Sequence, residues 1–555
     1  MTIMIKQLTV PVSEKSQDLS ILDALRQDFG IHKEQIHNLR IRKKSLDARR
    51  KARVVHHFQV ELDLDDEQAL LSKYQTAMSL VEAKPHYHPL DGLQNVRQRR
   101  MRHRPVIIGS GPAGSFAALV LAEAGFAPLV IERGEPVEAR LRTVNKLRSQ
   151  GEFAEESNYC FGEGGAGTFS DGKLTCGRNH PLIRYLFEEW VRFGAPADIL
   201  YEAHPHIGTD YLLRIAINMR KYLESLGVDF YFGRRFVGFS TGKSARYQVQ
   251  LADGEEISTD HLILAIGHSA RDTYQILLDH GLALAPKPFA IGARFEHPQE
   301  LINQIQLGSC QLLPAAEYKL AAHVGERGIW TFCMCPGGHL LPTSAQPGHL
   351  AINGMSYHAR NSGFANAAVV VNVNREDFYQ GHPLDGMYFQ QRIERLAFQA
   401  GGGGYLSPAQ RLVDFLKGRD SRGELKSTYK PGVTAARLDR ILPDFVVHAL
   451  QNSLDTYNKK MKGFISPEAI VAGVETKTSS PIVMHRDKSL QSTSHPGLYP
   501  TGEGAGFAGG IVSAALDGVK VAKALLESFQ EESLLQHTEH VNPLRSQGTG
   551  LEQQL

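Results

Sequence analysis

Residues 105–134 read PVIIGSGPAGSFAALVLAEAGFAPLVIERG, and this stretch decides the fold. Val106–Ile108 is a short apolar run that predicts a buried strand. Gly109, Gly111 and Gly114 follow as G-x-G-x-x-G at the strand-to-helix turn, and Pro112–Ala124 predicts a helix that Gly125 stops. A second strand, Pro128–Ile131, ends on Glu132. Gly109 makes the tight turn, and Gly111 lets backbone approach a pyrophosphate. Gly114 lets helix and strand pack closely while the helix N-terminus faces the phosphates. Glu132 stands 18 positions past Gly114, close to the ~20 expected for a carboxylate that accepts from an adenosine ribose. An acid there disfavours a 2′-phosphate, which points to FAD or NAD rather than NADP.

Outward from this motif, Gly227–Phe232 reads as a strand, Phe236–Asp260 as a strand meander with a turn at Asp253-Gly254, and His261–Gly267 as a buried strand ending in glycine. Near the far end, residues 497–525 read GLYPTGEGAGFAGGIVSAALDGVKVAKAL, a glycine-rich turn before a helix of small and apolar residues. A ligand held in this order touches the first motif and the last. The expected fold class is α/β: a discontinuous Rossmann-like domain binding FAD or NAD, an inserted α+β substrate-side domain and a small N-terminal α+β domain. The expected boundaries are 1–95 for the basic N-terminal domain and 96–275 and 475–530 for the two parts of the Rossmann-like domain, which the resemblance to known flavoproteins given below implies is FAD-binding. Residues 276–474 form the insert, and 531–555 a mobile polar tail.

The chain has 555 residues, 42% hydrophobic and 22% charged, enough apolar material for several cores. Its formal charge of +2 gives no overall reason to expect nucleic acid or a membrane surface. That sum conceals a polarity, because residues 1–104 hold 19 Lys/Arg against 13 Asp/Glu. Residues 1–84 predict a β-α-β-β-α unit, with Asp18 capping and Gly30 ending the first helix, strands near Ile36–Ile41 and Val54–Leu64, and a helix over Glu67–Val81. Between the strands runs RIRKKSLDARRKAR, and a second cluster (Arg97, Arg99, Arg100, Arg102 and Arg104) follows Pro85 and Pro89. These are either solvated surfaces or a site for an anionic partner such as RNA. Five cysteines without a C-x-x-C pair make neither a disulfide framework nor a zinc site. His204, His206, His485 and Asp487 lack metal-ligand spacing, so no metal is expected. The N-terminus shows no signal-peptide pattern, and a reducing cytoplasmic location is the expectation.

The order of motifs resembles the FAD-binding domain of the glutathione-reductase-like superfamily. More closely, the chain is similar to bacterial and plastid proteins described as FAD-dependent dehydrogenases or NAD(P)/FAD-dependent oxidoreductases. Beside the two glycine-rich motifs, the segments KSLDAR, FGEGGAGTFSDGKL, LAIGHSARDT, PFAIGARFEHP, FCMCPGG and TSSPIVMHRD carry that resemblance. It implies that the turn Gly109–Gly114, with Ser110, Pro112 and Ala113, holds an FAD pyrophosphate. Glu132 would hold the ribose, with Arg133 and Arg140 beside the adenosine half and Phe236 or Val237 at the adenine. Gly165, Ala166 and Gly167, then Ser170 to Lys173, would approach the isoalloxazine, and Gly267 would end the strand beneath the cofactor. Gly502 and Glu503 would reach the ribitol or phosphate. Gly510 and Ile511, opening the last helix, would present N–H groups and a positive dipole end to the pyrimidine edge.

Departures from related patterns narrow the chemistry. No C-x4-C pair follows the first helix, since Cys160 and Cys176 stand far apart, so dithiol exchange by that route is not expected. Gly502-Glu503 replaces the Gly-Asp pair of aromatic hydroxylases. No second G-x-G-x-x-G follows a strand, which leaves NAD(P)H to bind in another way, if at all. The reading is an FAD-dependent oxidoreductase that exchanges a hydride between a small-molecule substrate and flavin N5. The alternative is an RNA-associated or scaffold flavoprotein using the basic N-terminal domain. In Cys333-Met334-Cys335-Pro336-Gly337-Gly338, Cys335 is a candidate nucleophile or redox partner; otherwise the segment is a strand ending in a turn with two buried, inert thiols. Arg271, Arg294, His268 and Arg437 are candidate anchors for an anionic or carbonyl substrate. No residue is singled out as general base.

Overall fold

The computed structural model describes residues 2–81, 87–93, 101–310 and 312–540. Arg97, Arg99, Arg100 and Pro85 of the basic linker lie outside the described residues, as do residues 541–555 of the expected tail. The last helix, Ile511–His540, runs into the stretch expected to be mobile.

At the N-terminus, strands Thr2–Pro11, Ile36–Asp47, Val55–Leu64 and Met78–Leu80 enclose helices Gln17–Phe29 and Glu67–Lys73. The sheet places Ile36–Asp47 at one edge, then Val55–Leu64, Thr2–Pro11 and Met78–Leu80, all neighbours antiparallel. This is a split β-α-β arrangement with six elements, one more than the sequence suggested. The second helix ends early because Met78 pairs with Ile5, is buried in this unit's core, and gives the outer edge of Thr2–Pro11 a partner. Ser16, not Asp18, is the N-cap of the first helix. The first half of the basic run is strand rather than loop, since Arg40 to Lys44 lie within Ile36–Asp47. That edge strand docks on the rest of the molecule: Lys44 N–H donates to Tyr201 O at 2.8 Å, Ala203 N–H to Lys44 O at 2.8 Å, and Lys44 Nζ lies 2.7 Å from Glu202 Oε1.

Val106–Ile108 pairs in parallel with Leu129–Glu132 on one side and Leu262–Leu264 on the other. Asp229–Phe232 and Leu498–Pro500 complete a five-stranded parallel sheet, so strands from distant parts of the chain lie side by side. Its three inner strands, Val106–Ile108, Leu129–Glu132 and Leu262–Leu264, are almost entirely Val, Ile and Leu and are buried, as a sheet covered on both faces requires, while the edge strand Asp229–Phe232 is partly exposed. Helix Pro112–Glu123 packs on Ile511–His540 at Gly518, where any Cβ would collide with Ala113 O. The meander Phe236–Thr241, Tyr247–Leu251 and Glu256–Thr259 adds a small antiparallel sheet.

A seven-stranded sheet follows. Its central strands, Phe364–Val373, Phe289–Pro298 and Ile470–Glu475, are buried on both faces beneath helices Asp385–Ala400 and Asp444–Lys460. The boundaries expected at 275 and 474 each fall inside an element, the helix Arg271–Asp279 and the strand Ile470–Glu475. Charge and glycine patterns do not mark those joins, because both elements are continuous hydrogen-bonded units. Among the described residues no helix is long and apolar enough to cross a membrane.

Candidate functional site

One cavity, partly open to solvent, gathers the glycine-rich segments. Gly109, Gly111, Pro112 and Ala113 line it from the first strand-to-helix turn, and Glu132 and Arg133 from the end of the second strand. Gly165, Ala166, Gly167, Ser170 and Lys173 form a further wall; Gly267, Glu503, Gly510 and Ile511 close it from the other parts of the parallel-sheet region. Two helices, Pro112–Glu123 and Ile511–His540, begin on this cavity, and Gly111 caps the first without any side-chain acceptor. Their first-turn N–H groups and positive dipole ends favour an anionic ligand here.

Several expected residues stand behind the wall instead. Arg140 is fully buried and donates to the carbonyls of Asn158, Gly162, Glu163 and Gly165, so it shapes the glycine loop and does not flank an adenosine. Ser110 donates through N and Oγ to Glu132 Oε2 at 3.0 and 2.9 Å. Gly114 sits against the Gly109 carbonyl, where no side chain fits. Gly502 N–H donates to Asp517 Oδ2 at 2.8 Å. Val237 falls at an irregularity between Phe236 and Gly238, and Phe236 lines the cavity in its place.

The substrate-anchor candidates are spent on the protein. Arg271 grips Glu394 through two hydrogen bonds, at 2.8 and 2.7 Å, with both side chains buried. Arg294 is fully buried, with Nε 2.9 Å from Glu475 Oε2. Arg437 pairs with its neighbour Asp439 at 2.7 Å. Each guanidinium is committed to a carboxylate of the chain, a fate that sequence spacing cannot reveal. His268 does line the cavity; burial, then the nearby Lys477 and Arg271, pull its pKa down to about 3, and Nε2 has no partner.

Cys333, which is exposed, and buried Cys335 both reach the cavity as free thiols, so only one of the two is buried. Burial pushes the Cys335 thiol up to about 11, which leaves little thiolate at neutral pH and argues against the nucleophile. Its Sγ–H donates to Cys333 O at 3.3 Å. Burial also raises Glu503 to about 7, partly offset by Lys287. Asp171 is the opposite case: burial opposes its ionisation, but Lys173 and Arg360 outweigh burial and hold its carboxyl well below the usual range.

The sequence reading missed Phe161, whose ring lies 4.2 Å beneath the Arg133 guanidinium, and Asn353, Lys477 and Thr478 from the large-sheet region. Phe161 and Thr478 sit inside segments quoted for the family resemblance, which was a usable signal. Asn353 is one of many asparagines and carried none.

Residues 288–478 match the family described as FAD-dependent protein, C-terminal domain-like, and residues 2–63 match a domain of unknown function. An uncharacterized protein of Clostridium beijerinckii is 43% identical over 521 residues, covering 92% of this chain and 97% of that one. The chain belongs to this family of FAD-dependent proteins. Solved structures with partial likeness include a flavoprotein/dehydrogenase from Cytophaga hutchinsonii, at 14% identity and a TM-score of 0.33 over 78% of this chain and 82% of that one. Glycine oxidase from Geobacillus kaustophilus is 11% identical, with a TM-score of 0.34 over 78% and 95%.

The cavity of this FAD-dependent protein suits its cofactor. A Cβ on Gly111 would meet nothing closer than Gly165 Cα at 3.7 Å, and one on Gly510 nothing within 4 Å. Neither glycine is demanded by protein packing, so the room they leave is room for a ligand. Two buried polar atoms at the wall, His268 Nε2 and Ser269 Oγ, lack protein partners. Backbone access at the glycine turn, two helix N-termini and unspent polar groups together match a large dinucleotide with a charged centre.

Proposed function

We propose that the chain is an FAD-dependent oxidoreductase acting on a small-molecule substrate, with the cavity as its active site. The observation that carries this reading is the convergence of the Pro112–Glu123 and Ile511–His540 helix N-termini on a cavity also walled by Phe332, Cys333, Asn353 and Lys477 from outside the parallel-sheet region. Bound FAD would supply hydride exchange with the substrate at flavin N5.

The chain's own residues divide the remaining work. The Gly109–Gly114 turn and its helix would hold the pyrophosphate, and Gly510 with Ile511 would present N–H groups that favour negative charge on the reduced ring. Glu132 already accepts four hydrogen bonds, two at Oε2 from Ser110 and two at Oε1 from the N–H groups of Gly134 and Gly162. These fill the roughly four lone-pair sites of a carboxylate. A ribose hydroxyl would therefore take the place of the Ser110 hydroxyl, which can rotate away where the backbone donors cannot. The superfamily assignment and the role of NAD(P)H as electron donor belong to the same proposal. In the basic hairpin Arg42, Lys44 and Arg49 pair with Glu61, Glu202 and Asp47, which weakens the RNA reading.

The test is anaerobic: FAD-loaded protein mixed with NADH, NADPH and a metabolite library should lose its visible flavin absorbance with at least one donor and regain it with an acceptor. A spectrum that stays oxidised with every donor, in a protein that chemical reductant does bleach, contradicts the reading.

A further inference from the structure

Asn353 lies on the short strand Ile352–Met355 and lines the cavity. Its amide cannot flip. Oδ1 accepts from Arg294 Nη2 and from the Gly354 N–H at 2.7 Å. Both partners are donors only, so the oxygen must face them. Arg294 is itself pinned, with Nε on Glu475 at 2.9 Å and Nη1 on Cys333 O and Asn366 Oδ1 at 2.8 and 3.1 Å. The amide nitrogen, at the other end of a planar group, keeps two N–H donors that no acceptor takes among the described residues.

Lys173 reaches the same part of the cavity. Both residues line it, and Thr209 ties the segment that carries Lys173 to the strand that carries Asn353: its Oγ donates to Ser170 O at 2.8 Å and its N–H to Ser356 O at 3.1 Å. Arg360 takes both oxygens of Asp171, at 3.2 and 2.7 Å, so that carboxylate is shared between two cations. Lys173 Nζ, 3.1 Å from Asp171 and 3.4 Å from Glu317, has three N–H donors for two carboxylates. Fixed amide donors and an ammonium with a donor to spare complement an oxygen acceptor carrying full or partial negative charge.

We propose that Asn353 and Lys173 form a subsite for a carboxylate or carbonyl oxygen of the substrate, with Arg294 as the positioning residue that fixes the Asn353 amide. The proposal deepens the oxidoreductase reading and rests on it for the word substrate. It also explains why Arg294 looked like an anchor in the sequence: its charge acts through the amide it orients.

The probes are benzoate and pyruvate, with benzyl alcohol as the control lacking a carboxylate, titrated into the full-length FAD-loaded protein while the flavin's visible spectrum is followed. Asn353→Asp keeps an oxygen for Arg294 and Gly354 and so preserves the fold, but it replaces the spare donors with an acceptor. Benzoate and pyruvate should bind wild type more tightly than benzyl alcohol does. They should bind at least tenfold more weakly to Asn353→Asp, with benzyl alcohol binding and FAD content unchanged, and at least tenfold more weakly to Lys173→Met. Equal carboxylate binding by wild type and Asn353→Asp overturns the proposal, as does a wild type that does not prefer carboxylates. Loss of FAD from Asn353→Asp with carboxylate binding retained also overturns it, by assigning the donors to the cofactor. The two readings fail separately: a protein that binds carboxylates through Asn353 but is never reduced keeps the subsite and loses the redox reaction.

Discussion

Glu503 shows at the scale of one residue how the cavity trades stability for chemistry. Burial raises its carboxyl from 4.5 to about 7, so between those values the folded protein holds a proton that the unfolded chain has released. Stability therefore falls as pH rises through that window, and above it the folded state carries a buried charge costing roughly 1–3 kcal/mol. Glu503→Gln in the flavin-free protein should match wild type near pH 4.5 and be more stable by that amount at pH 8, measured by denaturant unfolding across pH. Parallel profiles for the two proteins would refute the assignment. The position of Glu503 in a glycine-rich turn was legible in the sequence. Its protonation was not, because desolvation depends on what folds over it.

At the scale of elements, the Thr501–Gly502 turn is held from the last helix. Asp517 accepts from Arg486 Nη1 and Nη2 at 2.9 and 2.7 Å, from Thr501 Oγ at 3.1 Å and from Gly502 N–H at 2.8 Å. The Arg486 guanidinium in turn lies 3.6 Å over the Phe507 ring. Asp517→Ala leaves the buried Arg486 charge without its carboxylate, at a cost of about 3–5 kcal/mol for the broken ion pair. It should also weaken FAD binding about tenfold by loosening the turn, whereas unchanged affinity would detach the turn from the site. The strand, turn and helix of residues 106–124 and the last helix were readable because glycine spacing and apolar runs are local properties. The strand Met78–Leu80 and the early end of the helix before it were not, since a three-residue edge strand forms only once its neighbour is in place.

At the scale of the molecule, the buried pair Arg271–Glu394 ties the helix Arg271–Asp279, on the parallel-sheet side, to the helix Asp385–Ala400 over the large sheet. Burial opposes ionisation of Glu394, but Arg271 and Lys477 outweigh it and hold the carboxyl down to about 2. Its stabilising effect is complete above the ordinary value of 4.5 and is lost as pH falls toward 2. Arg271→Met should cost about 3–5 kcal/mol at neutral pH, read from denaturant midpoints. A loss below 1 kcal/mol would contradict a buried pair. An arginine after a glycine-ended strand read equally well as a ligand anchor or a structural clamp, and only a partner 123 positions away decided between them.

The account stands or falls on whether this cavity holds FAD at the glycine turn. Gly111 gives the cleanest test, because an alanine there meets no protein atom closer than 3.7 Å and leaves the fold intact. Flavin-free wild type and Gly111→Ala should unfold alike, yet FAD titration should show one cofactor per wild-type chain and at least tenfold weaker binding to the variant. Equal FAD affinity for the two proteins would place the cofactor elsewhere and contradict the central claim.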